Sequence, residues 1–322
     1  MSLVRLQAAD VGRRVVVRHL LPDGAATDVV GELVHLLEDE VGVQPDDGAL
    51  VRVARADVVA AKPVPPRQVR PSSSAEAVQR VADLGWPGLE RRRLGGWVLR
   101  AGNGFTGRAN SALALGDPGV PLPAAIDTVE AFYTGRGLPP KVQVPFGLHR
   151  LPDPTSGSDA EVARRGWTHD QPTLVMTADL RGPRPPVDPG PGTSVHVEPE
   201  PDDEWLSRYR YRGGDLPRGA REVLLAARWQ RFVSVRRGGG TVAVGRVAVA
   251  DGWAGVTAMT VEEGHRRQRL GGLVLDELLR VGAAEGARFA YLQVVEANAV
   301  PIALYRRHGF SPHHRYHYRT RD

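Results

Sequence analysis

The stretch Val261-Glu-Glu-Gly-His-Arg-Arg-Gln-Arg-Leu-Gly-Gly272 decides how this chain is interpreted. Residues 255–261 before it have the composition of a strand. After it, Leu270, Val274 and Leu278 recur at helical spacing, which predicts an amphipathic helix. The first turn of a helix has unpaired amides and partial positive charge, and the arginines of this stretch add full charges. A basic, glycine-containing turn between a strand and a helix is typical of a phosphate or pyrophosphate site.

Other phosphate-binding loops do not fit the sequence. The chain has no G-x-x-x-x-G-K-[ST] pattern of a P-loop NTPase and no G-x-G-x-x-G dinucleotide fingerprint. The structural alternative is an ordinary basic loop that precedes an amphipathic helix. The stretch by itself leaves both interpretations open.

The residues that follow favour the ligand-binding interpretation. Residues 289–295 form a buried-strand pattern, and residues 302–308 form a helical pattern that ends at Gly309, which suits a left-handed C-terminal position. Residues 315–319 alternate as in a final strand. This order of motifs resembles the Gcn5-related N-acetyltransferase (GNAT) superfamily over about residues 193–319. The resemblance implies an α/β fold with a mixed sheet, and an enzyme that takes acetyl groups from acetyl-CoA.

The resemblance also implies which residues contact acetyl-CoA. The pyrophosphate loop of the family, [Q/R]-x-x-G-x-[G/A], corresponds to residues 266–271, with Arg269 at the place of the usual glycine. The arginine either turns outward to pair with a CoA phosphate or weakens binding. The complete set of expected contacts is Met259, Thr260, Val261, Arg266, Arg267, Gln268, Arg269, Leu270, Gly271, Gly272, Asn298 and Tyr305.

Acetyl transfer to an amine needs a polarised carbonyl, a neutral amine and a proton for the departing thiolate. Backbone amides near residues 259–261 are expected to polarise the carbonyl where two strands separate. Tyr305 matches the family tyrosine that acts as a general acid, and a hydroxyl with a pKa of about 10 suits a thiolate. The alternative is that Tyr305 only packs on the face of its helix. Asn298 either contacts the pantetheine arm or caps its helix. Glu296 is the expected general base, with water relay and three side chains as alternatives: Glu262, Glu263 and His308.

Composition limits the other classes of function. The 322 residues carry 42 basic and 37 acidic side chains, a net charge of +5, and the two signs are interspersed, which suits anionic small ligands. The absence of cysteine excludes disulfides and thiolate metal sites, and we expect no metal. No signal-peptide core or run of 18 apolar residues occurs, so we expect a cytoplasmic protein without membrane contact.

Short β-favouring runs predict a small β-barrel at residues 1–62, which resembles the SH3-like barrel of some actinobacterial acetyltransferases. It either docks a partner protein or only packs. Proline-rich linkers at 63–74 and 181–192 separate it from residues 75–180 and from the catalytic GNAT domain, 193–322. In the latter, two helices are expected at 202–209 and 220–229.

Residues 75–180 repeat the order of strand, turn, helix, strand, helix, Gly-aromatic and strand, which indicates a degenerate GNAT half and hence a tandem arrangement. Its turn has Asp117 and prolines in place of arginines, so we expect no CoA binding there. Thr106, Arg108, Asn110 and Ser111 either line the cleft between the halves or form a satisfied turn.

The sequence therefore predicts an N-acetyltransferase that transfers the acetyl group of acetyl-CoA to a primary amine by direct attack. A CoA-binding sensor without turnover is the alternative. A nucleic-acid-binding protein is disfavoured, because aromatic residues make up only 6% and the barrel carries Asp39, Glu40 and Asp57. Trp205, Tyr209 and Tyr211 either border the acceptor site or pack in the core.

Overall fold

The computed structural model describes residues 3–4, 6–45, 49–64, 69–149, 157–170, 172–209 and 214–321, so Tyr211 and part of the first predicted linker lie outside it. The N-terminal segment forms a six-stranded sheet in the order β1-β6-β2-β3-β4-β5. Alternate side chains such as Val15, Val17 and Leu33 are buried in a core of its own. Its strands are β1 (Leu3–Val4), β2 (Arg14–Leu20), β3 (Ala26–Leu36), β4 (Glu40–Pro45), β5 (Val51–Ala54) and β6 (Val58–Pro63).

The middle segment begins with helix α1 (Ala75–Gly85), which starts directly after its N-cap residue Ser74. The hydroxyl of Ser74 accepts a hydrogen bond from the amide of Ala77 at 3.2 Å. The elements of this segment are α1 (Ala75–Gly85), β7 (Glu90–Leu94), β8 (Trp97–Ala101), β9 (Ala112–Leu113), α2 (Leu122–Thr134), β10 (Lys141–Gly147), α3 (Gly157–Arg164), β11 (Thr168–His169) and β12 (Thr173–Asp179).

The C-terminal segment follows the predicted order with one shortened helix. The helix expected at 220–229 ends at Leu224, because the Leu224 carbonyl accepts from the Arg246 guanidinium at 2.7 Å and not from a following helical amide. The elements are β13 (Thr193–Glu198), α4 (Asp203–Arg208), α5 (Ala220–Leu224), β14 (Gln230–Arg237), β15 (Gly240–Ala250), β16 (Trp253–Val261), α6 (Leu270–Ala284), β17 (Phe289–Val295), α7 (Ala299–Arg307) and β18 (Ser311–Thr320).

The strands of the middle and C-terminal segments form one continuous sheet, and each segment takes a strand from the other. Its order is β13-β14-β15-β16-β17-β12-β18-β10-β9-β8-β7, with β11 beside β18. Thus β12 lies between β17 and β18, antiparallel to both, while the C-terminal β18 pairs with β10. Hydrophobic periodicity predicted that these segments are strands, but it did not predict which strands pair with one another. The division at 75–180 and 193–322 remains a proposal, because hydrogen-bonded pairing crosses it.

The two faces of the C-terminal part of the sheet carry different helices. Helix α6 packs on one face, where a Cβ added at Gly245 would lie 2.6 Å from the side chain of Val274. The absence of a side chain at Gly245 therefore lets α6 approach the sheet. The opposite face is covered by a separate apolar cluster that includes Trp86, Trp205 and Val223. Among the described helices, none is long and apolar enough to cross a membrane.

Candidate active site

Strand β16 contains a bulge at the centre of the site. The register with β15 shifts so that Ala258 and Met259 lie opposite the single residue Gly245, and Ala258 has a φ of 53°. A bulge of this kind bends the strand and redirects its amides. The bulge therefore bends β16 at Ala258 and Met259, and the ladder with β15 resumes at Thr260 and Val261.

Strands β16 and β17 separate just before this bulge. Their parallel pairing runs from Trp253 and Phe289 to Val256 and Leu292 and continues no further in the described chain. Beyond that point β17 keeps its pairing with β12, whereas the β16 edge at residues 257–261 is open towards β17. The sequence placed the separation of strands in this region. The opening is where an acetyl group would have access to unpaired β16 amides.

The basic loop between β16 and α6 adopts two left-handed backbone positions. Arg267 has a φ of 61°, and Arg269, which precedes the first residue of α6, has a φ of 63°. The family pattern has glycine at the Arg269 position, and glycine is the residue that adopts this conformation without strain. The chain thus keeps the backbone conformation that glycine favours and adds an exposed guanidinium.

The polar groups of this loop face solvent. Arg266, Arg267 and Arg269 are exposed, with Arg266 only 3.8 Å from Glu263 in a loose ion pair. Gln268 is exposed as well and accepts a hydrogen bond from Arg237 at 2.6 Å. Three positive side chains therefore stand beside the helix start without a tightly bound carboxylate in the described chain.

The first turn of α6 supplies the remaining donors. The amides of Leu270, Gly271 and Gly272 make no hydrogen bond to other described atoms, as expected of a helix start. Added Cβ atoms at Gly271 and Gly272 would lie 3.3 Å from Leu304 and 3.2 Å from His308, so the glycines also allow α7 to pack closely. These residues fit an anionic ligand, since amides, the helix dipole and arginines converge there.

Tyr305 lies on α7 with its ring packed against Phe310 at a centroid distance of 6.2 Å. Its hydroxyl has no hydrogen-bond partner among the described residues. Burial raises the pKa of Tyr305 to about 12. The hydroxyl therefore remains protonated at neutral pH and is available as a donor.

Asn298 precedes α7, yet its exposed side chain makes no capping hydrogen bond to the described amides of that helix. The capping alternative for Asn298 is therefore not the arrangement found. The side chain is free to contact a ligand in the opening between β16 and β17.

Glu296 is held in an ion pair. Arg315 donates to both of its carboxylate oxygens at 2.5 and 2.8 Å and also donates to the carbonyl of Leu148. Both carboxylate oxygens of Glu296 are therefore already hydrogen-bonded to the guanidinium of Arg315. The geometry favours a structural role for Glu296 over that of a general base.

The alternative bases have other environments. Glu262 accepts from Arg208 and lies 3.0 Å from His265, while Glu263 is almost fully exposed. The ring of His308 lies 2.9 Å from the Leu304 carbonyl and 3.5 Å from Asp276. The neighbouring carboxylate of Asp276 raises the pKa of His308 despite partial burial. Glu262 and His308 are therefore paired, and Glu263 is solvated.

The opposite face of the sheet contains Trp205 and Tyr209. Trp205 is 1% exposed and donates from Nε1 to the Val233 carbonyl at 3.1 Å, so it belongs to the core. Tyr209 borders a cavity of about 410 Å³ between α4 and α5, together with residues such as Leu216 and Ala220. Of the two described aromatic residues expected near the acceptor, Trp205 and Tyr209, Tyr209 lines a cavity.

The polar loop at residues 102–111 is mainly a satisfied turn. The Asn110 side chain accepts from the amides of Gly102 and Gly104 and donates to the Phe105 and Thr106 carbonyls. Ser111 is fully buried. Arg108 is the exception, because it is partly exposed and makes no hydrogen bond to the described residues.

Sequence reasoning missed Arg246, which lies on β15 at the bulge and is completely buried. The signal was a single arginine within the apolar run of residues 241–249. A charge in such a run is seldom fully buried without a specific reason.

The sheet, the bulge and the separated strands define the class of protein. A Gcn5-related N-acetyltransferase of Kribbella flavida matches with a TM-score of 0.55, over 76% of this chain and 95% of that one, at 18% identity. A second, from Sphaerobacter thermophilus, matches with a TM-score of 0.50 over 79% and 87%, also at 18% identity. These likenesses show the GNAT fold.

Sequence comparison shows the family within that class. Residues 72–319 match the family described as "Probable histone acetyltransferase Rv0428c C-terminal" and residues 9–62 match "Rv0428c N-terminal Sm-like domain". The chain is 31% identical to the probable histone acetyltransferase Rv0428c of Mycobacterium tuberculosis, over 96% of this chain and 94% of the relative. It is 28% identical to the uncharacterized N-acetyltransferase YobR of Bacillus subtilis, over 76% and 97%. The chain belongs to the Rv0428c family and is a GNAT N-acetyltransferase.

The comparisons also refine two expectations. The predicted small barrel is confirmed, and Sm-like is a more specific description of it than SH3-like. Acetyl-CoA is the acetyl donor of GNAT acetyltransferases. Within the ranges described, no group of three His, Cys, Asp or Glu side chains could hold a metal ion.

Proposed function

We propose that this protein transfers the acetyl group of acetyl-CoA directly to a primary amine, without an acetyl-enzyme intermediate. The proposal rests on the observation that two features occur at the same place. Strand β16 separates from β17 at its bulge, and the exposed basic loop continues from the same strand into α6. One end of the opening suits a reacting carbonyl, and the other suits a phosphate group.

The donor would be bound by the residues that converge on this opening. The amides of residues 270–272 and the side chains of Arg266, Arg267 and Arg269 fit the pyrophosphate, and Asn298 fits the pantetheine arm. The β16 backbone amides at residues 259–261 would donate hydrogen bonds to the oxygen of the thioester carbonyl. Gln268 and Leu270 fix the loop through the Arg237 contact and through burial in the core.

The chemical step forms one bond and breaks another. The amine nitrogen attacks the thioester carbonyl carbon, the carbon–sulfur bond breaks, and the sulfur leaves with the electron pair. Tyr305 gives its proton to the sulfur, or donates a hydrogen bond to it, because its hydroxyl is protonated and unpartnered among the described groups. Backbone donors that stabilise the developing oxyanion would lower the barrier most.

The proton of the amine would leave through solvent. Glu296 is occupied by Arg315, and the other acidic candidates are paired or fully solvated. Many amines are deprotonated in water at the rate that turnover needs, so a fixed base is not required. Under this proposal Glu296 is a positioning residue whose replacement by glutamine lowers stability more than turnover.

The acceptor is a free amine of a small molecule or of a protein. The name of the M. tuberculosis relative points to histone-like proteins, and lysine side chains of a protein are therefore one acceptor class to test. A protein acceptor could be docked by the Sm-like barrel. The other acceptor class is small-molecule amines, for which the cavity beside Tyr209 has sufficient volume.

A broad acceptor screen tests the proposal. Purified protein is incubated with acetyl-CoA and a panel of small amines, amino acids and lysine peptides, and free thiol is measured. Amine-dependent thiol release with a mass increase of one acetyl group on the acceptor supports it. Tight acetyl-CoA binding with no amine-dependent release from any class would contradict it and favour a CoA sensor.

A further inference from the structure

Arg246 is a charged residue inside the sheet, with no exposed surface. Its Nε donates to the Leu224 carbonyl at 2.7 Å, and its Nη1 donates to the Gly85 carbonyl at 3.1 Å. Its Nη2 is buried and has no hydrogen-bond partner among the described groups. Every partner found is neutral, so the positive charge of Arg246 lacks a counter-ion within the described chain.

Arg108 brings a second positive charge to the same place. Its guanidinium carbon lies 5.2 Å from the ring centre of Trp86, and that of Arg246 lies 4.9 Å from the same ring centre. Arg108 belongs to the middle segment and Arg246 to the C-terminal one, so the site forms where the two meet. Arg108 keeps some exposed surface as a residue, whereas Arg246 has none.

The surrounding side chains do not neutralise this pair. Asp83, near the end of α1, is already bound on its two oxygens by Arg91 and Arg100. Burial raises the pKa of Tyr291 to about 12 and that of Tyr318 well above its ordinary value, so both hydroxyls are uncharged at neutral pH. A buried charge without a partner is strongly unfavourable, and a bound anion would relieve that cost.

The position of this pair relates it to acetyl transfer. Arg246 on β15 lies opposite Thr257 on β16. Thr257 directly precedes the bulge and directly follows Val256, the last β16 residue that pairs with β17. It projects to the face of α4 and α5, whereas α6 and the Tyr305 helix pack with the core of the other face. A molecule beside Arg108 would therefore approach the opening from the side opposite the donor loop.

A cavity also lies on this face of the sheet. The ring of Tyr209 lies 6.4 Å from Phe105, a neighbour of Arg108 in the polar loop, and Tyr209 lines the cavity of about 410 Å³. Tyr209 therefore lies between this cavity and the aromatic cluster of Phe105 and Trp86.

We propose that Arg108, with Arg246 behind it, binds an anionic group of the acceptor, so that the substrate is an amine that also carries a carboxylate or a phosphate. The inference rests on the proposed acetyl transfer. Guanidinium groups bind carboxylates and phosphates through paired hydrogen bonds, and Trp86 holds both arginines in place. A basic lysine peptide would place a like charge at this site and is disfavoured.

Matched acceptors test the proposal in two arms. The carboxylate arm compares 5-aminopentanoate with 1-aminopentane, and the phosphate arm compares phosphoethanolamine with ethanolamine. We expect the anionic member of at least one pair to have a kcat/KM at least tenfold higher, and the arm that shows it identifies the anion. Arg108→Gln should reduce that ratio to about one while KM for acetyl-CoA stays the same, since a lost charge-assisted contact is worth about a factor of ten or more.

Control variants separate charge from folding. Arg108→Lys should restore part of the preference, because the positive charge returns without the paired geometry. Arg92→Gln, at an exposed position on β7, should behave as wild type. A wild-type preference for neutral or lysine-peptide acceptors, or an equal loss for both members of a pair in Arg108→Gln, would overturn the proposal.

Binding without turnover separates this inference from the proposed function. Pentanoate and methylphosphonate lack an amine, and their binding is measured by calorimetry and by fluorescence of the tryptophans. Binding that Arg108→Gln weakens at least tenfold supports the anion site even when no amine is acetylated. Acetylation of amines together with anion binding that is absent, or unchanged in Arg108→Gln, refutes the anion site and leaves the acetyltransferase proposal standing.

Discussion

The loop after β9 and the loop after β16 both lead from a strand into a helix, but they have opposite surroundings. The first, residues 114–121, is covered by the barrel, since Arg52 donates to the Gly119 carbonyl at 2.8 Å. Asp117 turns back to the Gly119 amide at 2.7 Å. The second, residues 262–269, exposes three arginines beside free helix amides. The same order of elements thus supports protein packing in one segment and a candidate ligand site in the other.

The two loops show that the order of strand, loop and helix does not decide which segment binds a ligand. A strand–loop–helix unit offers unpaired amides in either case. Charge and exposure of the loop decide whether an anion or another part of the protein meets them. The loop of residues 114–121 should therefore contribute to stability, and the loop of residues 262–269 should contribute to donor binding.

The largest effect is expected from Asp83→Asn in the middle segment. The change weakens a buried ion pair at 3.0 Å with Arg100, which is 2% exposed, so we expect a loss of about 3 kcal/mol in the free energy of unfolding. Urea denaturation measures it. The exposed pair of Asp127 and Arg165 is the control, since Asp127→Asn should cost less than about 1 kcal/mol. Equal losses of unfolding free energy in both variants would contradict the greater contribution expected of the buried ion pair.

Tyr305→Phe should act on turnover and not on stability. The ring packing on Phe310 is kept and only the unpartnered hydroxyl is lost, so acetyl-CoA affinity should stay constant while turnover falls by about 100-fold. Single-turnover thiol release with the best amine from the screen measures it. Wild-type rates at neutral and at high pH would remove Tyr305 from the mechanism and assign protonation of the thiolate to solvent.

Arg267→Ala should weaken acetyl-CoA binding roughly tenfold, because an exposed charge-assisted contact contributes at the low end of about 1.5–3 kcal/mol. The effect should shrink as salt is raised. Calorimetry at two ionic strengths measures both, with the exposed Arg92→Ala as control. Unchanged affinity in Arg267→Ala would show that the basic loop is not the donor site.

The smallest effect is expected from Arg269→Gly, which changes two properties in opposite directions. Glycine relieves the backbone strain at a φ of 63°, so the free energy of unfolding should rise by about 1 kcal/mol. The lost guanidinium should weaken acetyl-CoA binding a few fold. Thermal unfolding and calorimetry on the same samples separate the two. Tighter binding by the glycine variant would show that the arginine obstructs the phosphate path.

The amino-acid sequence alone was enough to predict the order of elements and the superfamily. Hydrophobic periodicity placed α6, β17 and the strand that ends the chain, since side-chain burial is a local pattern. The two motifs around Arg266 and Tyr305 identified the superfamily. The sequence also indicated that the loop with Asp117 lacks the charges for CoA.

Only the tertiary structure decided which strands are neighbours and which charges meet. The exchange of β12 and β18 could not be read from either segment, because both strands have the same pattern whichever sheet position they occupy. Arg108 and Arg246 are 138 positions apart in the chain, and their meeting over Trp86 depends on packing between segments. The pairing of Glu296 with Arg315 likewise follows from sheet geometry, and it changed the interpretation of a residue that the sequence favoured as a base.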